Sequence, residues 1–380
     1  MKLHSYILLF LVFGILPDIC LWNVILQDAP LLWKILVCLP SVAVCAFLVM
    51  IAAGVRYTHS VRMYSYVMFL LELPKFVVAL FSLIGRKAIG LQPALADGIA
   101  LGAAVAVGLF FVLLIFRVSR HLEVDSEELA FENLPDPFEG LRICQLTDFH
   151  LGSFGKASVY IKRIVDLTLS QSPDLILFTG DLVNFESSEA LPYLKELSRL
   201  TAPMGVFAVR GNHDYLLHGH HDEQERLEDM ERLLAIEQKL GWRVLRNEHV
   251  LLHRGTATLA VVGVDNTSAN PFFHKAGGDY PRALKGIPEG VFRILLSHDP
   301  SHWRAEVVPE GSAALTLSGH THGLRYKLAG RHISHWHLPE SAGTYQEKDQ
   351  ILHVSKGLGS AFAFRIGGYP NIDLITLQRK

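Results

Sequence analysis

Two unlike patterns of hydrophobic and polar positions divide the chain near residue 116. Before that point apolar residues run in four long stretches, 6–26, 31–53, 64–84 and 99–116. A helix needs about 20 apolar residues to cross the hydrocarbon core of a bilayer, and each stretch is near that length. After residue 120 the apolar runs are short and alternate with polar, periodic segments. The pattern predicts a transmembrane region of about four helices over 1–120 and a globular domain over 121–380.

The few charges inside the apolar region carry information. The third stretch contains Glu72, Pro74 and Lys75. Glu72 and Lys75 are three residues apart and can pair on one helix face, while Pro74 would kink the helix there. An ionisable pair inside a span is a functional-site candidate; the plainer reading is a neutralised pair facing the neighbouring helices. Pro17-Asp18 interrupts the first stretch, which lacks a small-x-small cleavage site and reads as a retained helix rather than a signal peptide. With four crossings, Lys2, Arg56, Arg62, Arg117 and Arg120 share the side of both termini, against Arg86, Lys87 and Lys34. That positive excess predicts a cytoplasmic globular domain.

In the second half, strands at 141–146, 174–178 and 205–209 alternate with helices at 158–170, 188–200 and 221–240. Pro135 and Pro137 mark a linker before the first of them. From Trp242 onward strands dominate, at 244–245, 250–253, 259–264, 292–296, 315–317, 351–354 and 372–377. Short strands buried on both faces, first alternating with helices and then clustered, predict a mixed α/β sandwich.

Composition sharpens this division. Hydrophobic residues make up 50% and charged residues 19%, with a mean hydropathy of +0.28, too apolar for an ordinary soluble protein of this length. The excess lies in the first 116 residues. A net charge of −2 gives no field for a nucleic-acid partner. Cys20, Cys38, Cys45 and Cys144 form no metal spacing or disulfide framework, which fits a reducing compartment.

Five short motifs close strand-like runs: Asp148-Phe-His150, Gly180-Asp181, Gly211-Asn-His-Asp214, Ser297-His298 and Gly319-His-Thr-His322. In extended geometry Asp148 and His150 point to one side and can converge on one ion. Gly180 lets the backbone turn sharply before Asp181. Asn212 offers a neutral amide oxygen, and His298, His320 and His322 add imidazoles. These side chains are too many for one tetrahedral zinc and suit two five- or six-coordinate ions sharing a carboxylate. Such a pair serves in-line displacement at phosphorus. His218, His220 and His221 are expected in a solvated loop, and His332, His335 and His337 at the surface.

These residues, in this order, resemble the calcineurin-like metallophosphoesterase superfamily. The run from Leu141 to the C-terminus is similar to its bacterial membrane-associated branch, of the YkuE and YaeI type. The tail, Val354-Ser-Lys-Gly-Leu-Gly359 through Asn371-Ile-Asp-Leu-Ile375, shares that similarity. The resemblance implies an α/β fold, a four-layer β-sandwich flanked by helices, here preceded by the transmembrane bundle. It implies that Asp148, His150 and His322 hold one metal, that Asn212, His298 and His320 hold a second, and that Asp181 bridges them. It also implies that His213 contacts the scissile phosphate and that Asp214 orients His213. Leu324 departs from the second glycine that relatives often carry there, which touches substrate contacts and not a ligand. The four apolar stretches, which are not part of the resemblance, make the expectation a multi-pass membrane protein, and the bacterial branch makes that membrane the bacterial inner membrane.

The expected activity is metal-dependent hydrolysis of a phosphate ester or anhydride, with two divalent ions drawn from Mn, Fe or Zn. Anchoring to a bilayer favours a lipid-linked substrate, with a UDP-2,3-diacylglucosamine pyrophosphate, undecaprenyl pyrophosphate and a phospholipid as candidates. Leu358 and residues 361–364 would give an apolar lip; the plainer reading puts Phe362 and Phe364 in the core. The competing reading is a membrane sensor or transporter with the phosphoesterase-like domain as regulatory module. The intact ligand set argues for the enzyme.

Overall fold

The computed structural model describes residues 3–154, 159–217, 222–269, 276–323, 327–328, 331–332, 339–360 and 369–380. Its contacts divide the chain into two units that part between Ser119 and Arg120.

The first unit contains helices α1 (His4–Ile25), α2 (Leu31–Ala52), α3 (Tyr57–Ile89) and α4 (Pro93–Arg120). All four are long and apolar enough to cross a membrane. The third is longer than its apolar stretch, because the polar run from Tyr57 is helical too. Wide, π-type turns at Leu11–Ile15 and Met68–Glu72 precede Pro17 and Pro74. Proline has no N–H to continue the ladder, so the helix absorbs the break in the turn before it.

The second unit is a sandwich of two six-stranded sheets. The first sheet has the order β1 (Glu123–Phe131), β14 (Asn371–Arg379), β2 (Arg142–Leu146), β3 (Leu175–Phe178), β4 (Val206–Ala208), β5 (Arg243–Val244). The second runs β12 (Gly343–Glu347), β13 (Gln350–Val354), β9 (Leu315–Ser318), β8 (Phe292–Leu296), β7 (Ala257–Gly263), β6 (Glu248–Arg254). A small hairpin, Lys327–Leu328 with Arg331–His332, stands apart. Each sheet contains a run of four parallel strands, β2 to β5 in the first and β7, β8, β9 and β13 in the second, while β14 pairs antiparallel with β2.

Alternation along these strands builds four layers. Ile143, Leu175 and Leu177 meet Ile294, Leu296, Leu315 and Leu317 between the sheets. Their neighbours Cys144, Leu146, Ile176 and Phe178 face outward, against helices α5 (Val159–Ser170) and α6 (Glu223–Lys239). Ile161, Ile164, Val165 and Thr168 of α5 are all buried, at the spacing of one helix face. Asp222 caps α6 by accepting from the N–H groups of Gln224 and Glu225. On the far side, Val262, Leu295 and Leu352 pack against Tyr280, Trp303 and Val307. The four-layer α/β sandwich expected from the sequence is the fold observed.

Two expectations need correction. Residues before Pro135 are not all linker, since β1 occupies Glu123–Phe131 and pairs in parallel with β14 along its whole length. The predicted helix at 188–200 is a 3-10 segment, Ser187–Tyr193, and a single α-turn, Leu194–Leu197, because Pro192 cannot donate within it. The loop around His218, His220 and His221, the residues His335 and His337, Leu324, and residues 361–364 lie outside the described residues.

Candidate metal centre

Every motif residue lies on a loop at the carboxyl end of an inner parallel strand: Asp148 and His150 after β2, Asp181 after β3, Asn212 to Asp214 after β4, His298 after β8, His320 and His322 after β9. Parallel strands in both sheets deliver these ends to one edge of the sandwich. Asp148, His150, Asp181 and His298 form a buried floor, and Asn212, His213, His320 and His322 are half-buried above it.

The convergence of Asp148 and His150 has a different cause from the one expected. Neither residue is extended: Asp148 has φ +51° and His150 φ +48°. Asp181, His320 and His322 also stand in the left-handed region, at φ +60°, +71° and +52°. Such a backbone costs an L-residue about 1–2 kcal/mol, so its concentration at the motif residues marks a site held by its surroundings. The holding bonds are present. Asp148 N–H donates to the Gly180 carbonyl at 2.8 Å, and His150 N–H to the Asp181 carbonyl at 3.1 Å. On the other side Gly359 N–H donates to the Asp148 carbonyl at 2.6 Å. A Cβ on Gly359 would collide with the Phe149 carbonyl, which explains why a glycine stands in that tail.

Each floor carboxylate has one oxygen fixed by the protein and one aimed at imidazoles. Asp148 Oδ2 accepts from Thr147 Oγ1 at 2.9 Å and from His320 N–H at 3.0 Å. Its Oδ1 lies 3.7 Å from His150 Nε2 and 3.8 Å from His322 Nε2. Asp181 Oδ1 accepts from His213 N–H at 2.9 Å, and its Oδ2 lies 3.5 Å from His150 Nε2 and 3.2 Å from His298 Nε2.

The rings are oriented from behind. His150 Nδ1 is 2.7 Å from Asn184 Oδ1, and His298 Nδ1 is 2.7 Å from the Thr179 carbonyl. With Nδ1 donating, each Nε2 presents a lone pair to the centre, the tautomer a metal needs. His150 Nε2, His298 Nε2, Asp148 Oδ1 and Asn212 Oδ1 are buried acceptor atoms with no hydrogen-bond partner among the described residues. Three groups here have ligand atoms close enough for a shared ion: Asp148, His150 and His322; His150, Asp181 and His213; Asp181, His298 and His320. The donor set therefore fits divalent cations.

The local field agrees. Burial pushes the Asp148 and Asp181 carboxyls up, but the imidazoles of His322 and His298 more than offset it and hold both below the ordinary range. Burial lowers His298, and the Asp181 charge overcomes it, raising that ring to about 10. A potential that would hold a proton there would hold a dication instead.

Asp214 does not orient His213. Its carboxylate accepts from the N–H groups of Asp181, Leu182, Val183 and Gly211 at 2.7 to 3.3 Å, so it is spent on the loop that carries Asp181. The His213 ring is oriented by the Asn184 carbonyl, 2.9 Å from Nδ1. Sequence reasoning missed Asn184 and also Glu189, which accepts from the N–H groups of Gly152, Asn184 and Phe185. Asn184 lies three residues beyond Asp181, and no pattern in the chain singles it out. Asp299, 1% exposed and 3.7 Å from His320 Nε2, was legible only as the neighbour of His298.

Residues 141–324 match the family model described as calcineurin-like phosphoesterase. The chain is 27% identical over 265 residues to a transmembrane protein with metallophosphoesterase domain from Danio rerio, covering 68% of this chain and 57% of that one. It is 28% identical over 283 residues to the metallophosphoesterase YkuE of Bacillus subtilis, covering 69% and 90%. It is 28% identical over 295 residues to the UDP-2,3-diacylglucosamine pyrophosphatase LpxG of Chlamydia trachomatis, covering 64% and 86%. Through residues 141–324 the chain carries a calcineurin-like phosphoesterase domain, the fold of metal-dependent phosphoester hydrolases, and it is similar to metallophosphoesterases of the YkuE type.

Proposed function

We propose that the second unit is a dinuclear-metal phosphoesterase acting on a phosphate ester or anhydride. The observation that carries this is the position of Asp181 Oδ2, within 3.5 Å of His150 Nε2 on one side and 3.2 Å of His298 Nε2 on the other. In this reading Asp148, His150 and His322 would hold one divalent ion, Asn212, His298 and His320 would hold the other, and Asp181 would serve both. Bound there, the ions would supply Lewis acidity toward phosphoryl oxygens and lower the pKa of water.

The chain's own groups do the rest. His213 stands half-buried beside the floor, its ring edge-on to His150 at 4.9 Å between centroids. Because Nδ1 faces a carbonyl, it keeps its proton, and Nε2 carries one only in the imidazolium. In that form His213 offsets charge on a phosphoryl oxygen and can pass the Nε2 proton to the leaving group. Asp214 and Glu189 hold the loop that aims Asp181 and Asn184.

For the substrate, the four apolar helices favour a lipid-linked phosphate or pyrophosphate at the bilayer surface. The similarity to the Chlamydia pyrophosphatase supports UDP-2,3-diacylglucosamine as the first compound to try. The positive residues around the helices support a cytoplasmic catalytic unit in a bacterial inner membrane.

The test is a screen of the full-length protein in detergent with Mn, across acylated pyrophosphates, phospholipids and soluble nucleotides. Faster phosphorus release from an acylated pyrophosphate is expected, with Asp181→Ala and His213→Ala silent. Turnover retained by either variant would refute the site assignment, and equal rates on soluble nucleotides would refute the lipid-linked substrate.

A further inference from the structure

Three helices of the first unit bring four polar side chains together. Lys75 Nζ on α3 lies 2.7 Å from Asp18 Oδ1 on α1 and 2.5 Å from Glu72 Oε2, one turn before it. The same ammonium donates to Ser41 Oγ on α2 at 2.7 Å, and Ser41 donates to Glu72 Oε1 at 3.0 Å. Glu72 is fully buried, while the Lys75 and Asp18 side chains are 9% and 13% exposed. Pro17, Pro40 and Pro74 each adjoin a member of the group, and the wide turn at Met68–Glu72 ends on Glu72 itself. Wide turns of this kind concentrate at functional positions of helices.

The charges do not balance. Two carboxylates share one ammonium, leaving a surplus negative charge in a helix bundle built to cross a membrane, where net charge is costly. Neighbouring cations do not offset it: Arg86 is engaged by Asp97 and the Val24 carbonyl, and Lys34 by the Gln27 carbonyl. Cys38 and Tyr64 also face the group and bring no positive charge. Asp18 Oδ1 and Glu72 Oε2 are buried oxygens that both lean on the one Lys75 ammonium. One proton would cancel the surplus charge.

We propose that Asp18, Glu72 and Lys75 form a proton-binding site in the membrane unit, holding one proton near neutral pH. Ser41 and Lys75 engage both oxygens of Glu72, and Lys75 is the one partner of the Asp18 carboxylate among the described residues. A metal cation does not fit. The ammonium occupies the space between the carboxylates, and three side-chain groups cannot supply the six or more oxygens a hard cation takes. The site rests on the first unit alone and stands apart from the phosphoesterase reading.

Infrared spectra of the full-length protein in lipid nanodiscs at neutral pH test this through the carboxylic-acid C=O stretch. Buried carboxyls of the second unit contribute to that band, so each variant is read as a difference from the wild type. Asp18→Asn and Glu72→Gln should each remove the intensity of one carboxylic acid, since either leaves the group neutral without a proton. Lys75→Met should add the intensity of one, because both carboxylates then take protons. Asp97→Asn should change nothing. Misfolding cannot produce changes of opposite sign. Wild-type, Asp18→Asn and Glu72→Gln spectra that superimpose would show a fully ionised group and overturn the proposal. Loss of the band on adding sodium at fixed pH would overturn it too, in favour of a metal cation.

Discussion

The main-chain N–H of Asp181 donates to Asp214 Oδ2 at 2.7 Å, so one buried carboxylate holds the backbone of another. Leu182 and Gly211 donate to the same carboxylate at 2.8 and 2.9 Å, which ties the loops after β3 and β4 together. Burial and the nearby Asp181 charge raise Asp214 to about 6, while the Gly211 and Val183 amides pull it down. Asp214→Ala strips these amides of their acceptor, and each buried N–H left unsatisfied costs about 1–3 kcal/mol. The expected outcome is a lower melting temperature together with a 10- to 100-fold weaker metal affinity, on the order seen when groups behind a ligand are removed. Calorimetric titration with Mn checks it. Unchanged affinity would mean that the Asp181 loop is held by something else.

Asn184 serves two histidines through different atoms, its side-chain oxygen meeting His150 and its carbonyl meeting His213. Asn184→Ala removes only the first contact. It should therefore weaken metal binding by roughly 10- to 100-fold while His213 keeps its orientation. Asn184→Asp keeps an acceptor for His150 Nδ1 and should recover most of the affinity. The comparison of the two variants in metal titrations is decisive, because a loss of equal size in both would remove the ring-orienting role.

Gly211 lies against the Asp181 carboxylate. A Cβ there would run into Asp181 Oδ1 and stand 2.7 Å from the Asp181 amide nitrogen. Overpacking of this kind costs about 1–3 kcal/mol and here falls on the carboxylate that both ions would share. Metal that binds only the folded state adds about 2.7 kcal/mol at a concentration 100 times its Kd. Mn should then raise the melting temperature of the wild type, and Gly211→Ala should lose that protection while still unfolding cooperatively. Equal protection by Mn in both proteins would count against Asp181 as a ligand.

The motif residues were legible because each is a contiguous run placed directly after an apolar strand, and parallel strands deliver such ends to one edge. What holds them was not. The left-handed backbone at Asp148, His150, Asp181, His320 and His322 leaves no trace in side-chain pattern, since any of these residues could sit in an extended loop. Asp214 looked like a partner for its neighbour His213, but proximity in sequence lost to the stronger demand of four buried amides. In β1, Glu123–Phe131, the polar run gives no strand alternation, and only Leu129 and Phe131 are buried. Its stability comes from pairing with β14, some 240 residues away in the chain, which no local pattern records.

The same long-range pairing creates a pH-sensitive joint between the sheets. His353 on β13 lies between Asp373 on β14 and Glu127 on β1, with Nε2 3.1 Å from Asp373 Oδ1 and Nδ1 3.3 Å from Glu127 Oε2. The ring is 2% exposed. Burial lowers its pKa, and the Asp373 and Glu127 carboxylates overcome that and raise it from 6.5 to about 9. A histidine whose folded pKa exceeds its unfolded value stabilises fully below the unfolded value and loses that contribution as pH rises through the folded one. Here the contribution is about 3 kcal/mol below pH about 6.5 and fades on approach to pH about 9. The wild type should therefore melt well above His353→Gln in mild acid, and the two should converge in alkali. Thermal unfolding of the full-length protein in detergent across that range measures the gap. A gap that stays constant with pH would mean that His353 contributes through packing and its neutral hydrogen bonds, and that the two sheets are not joined by charge at this edge.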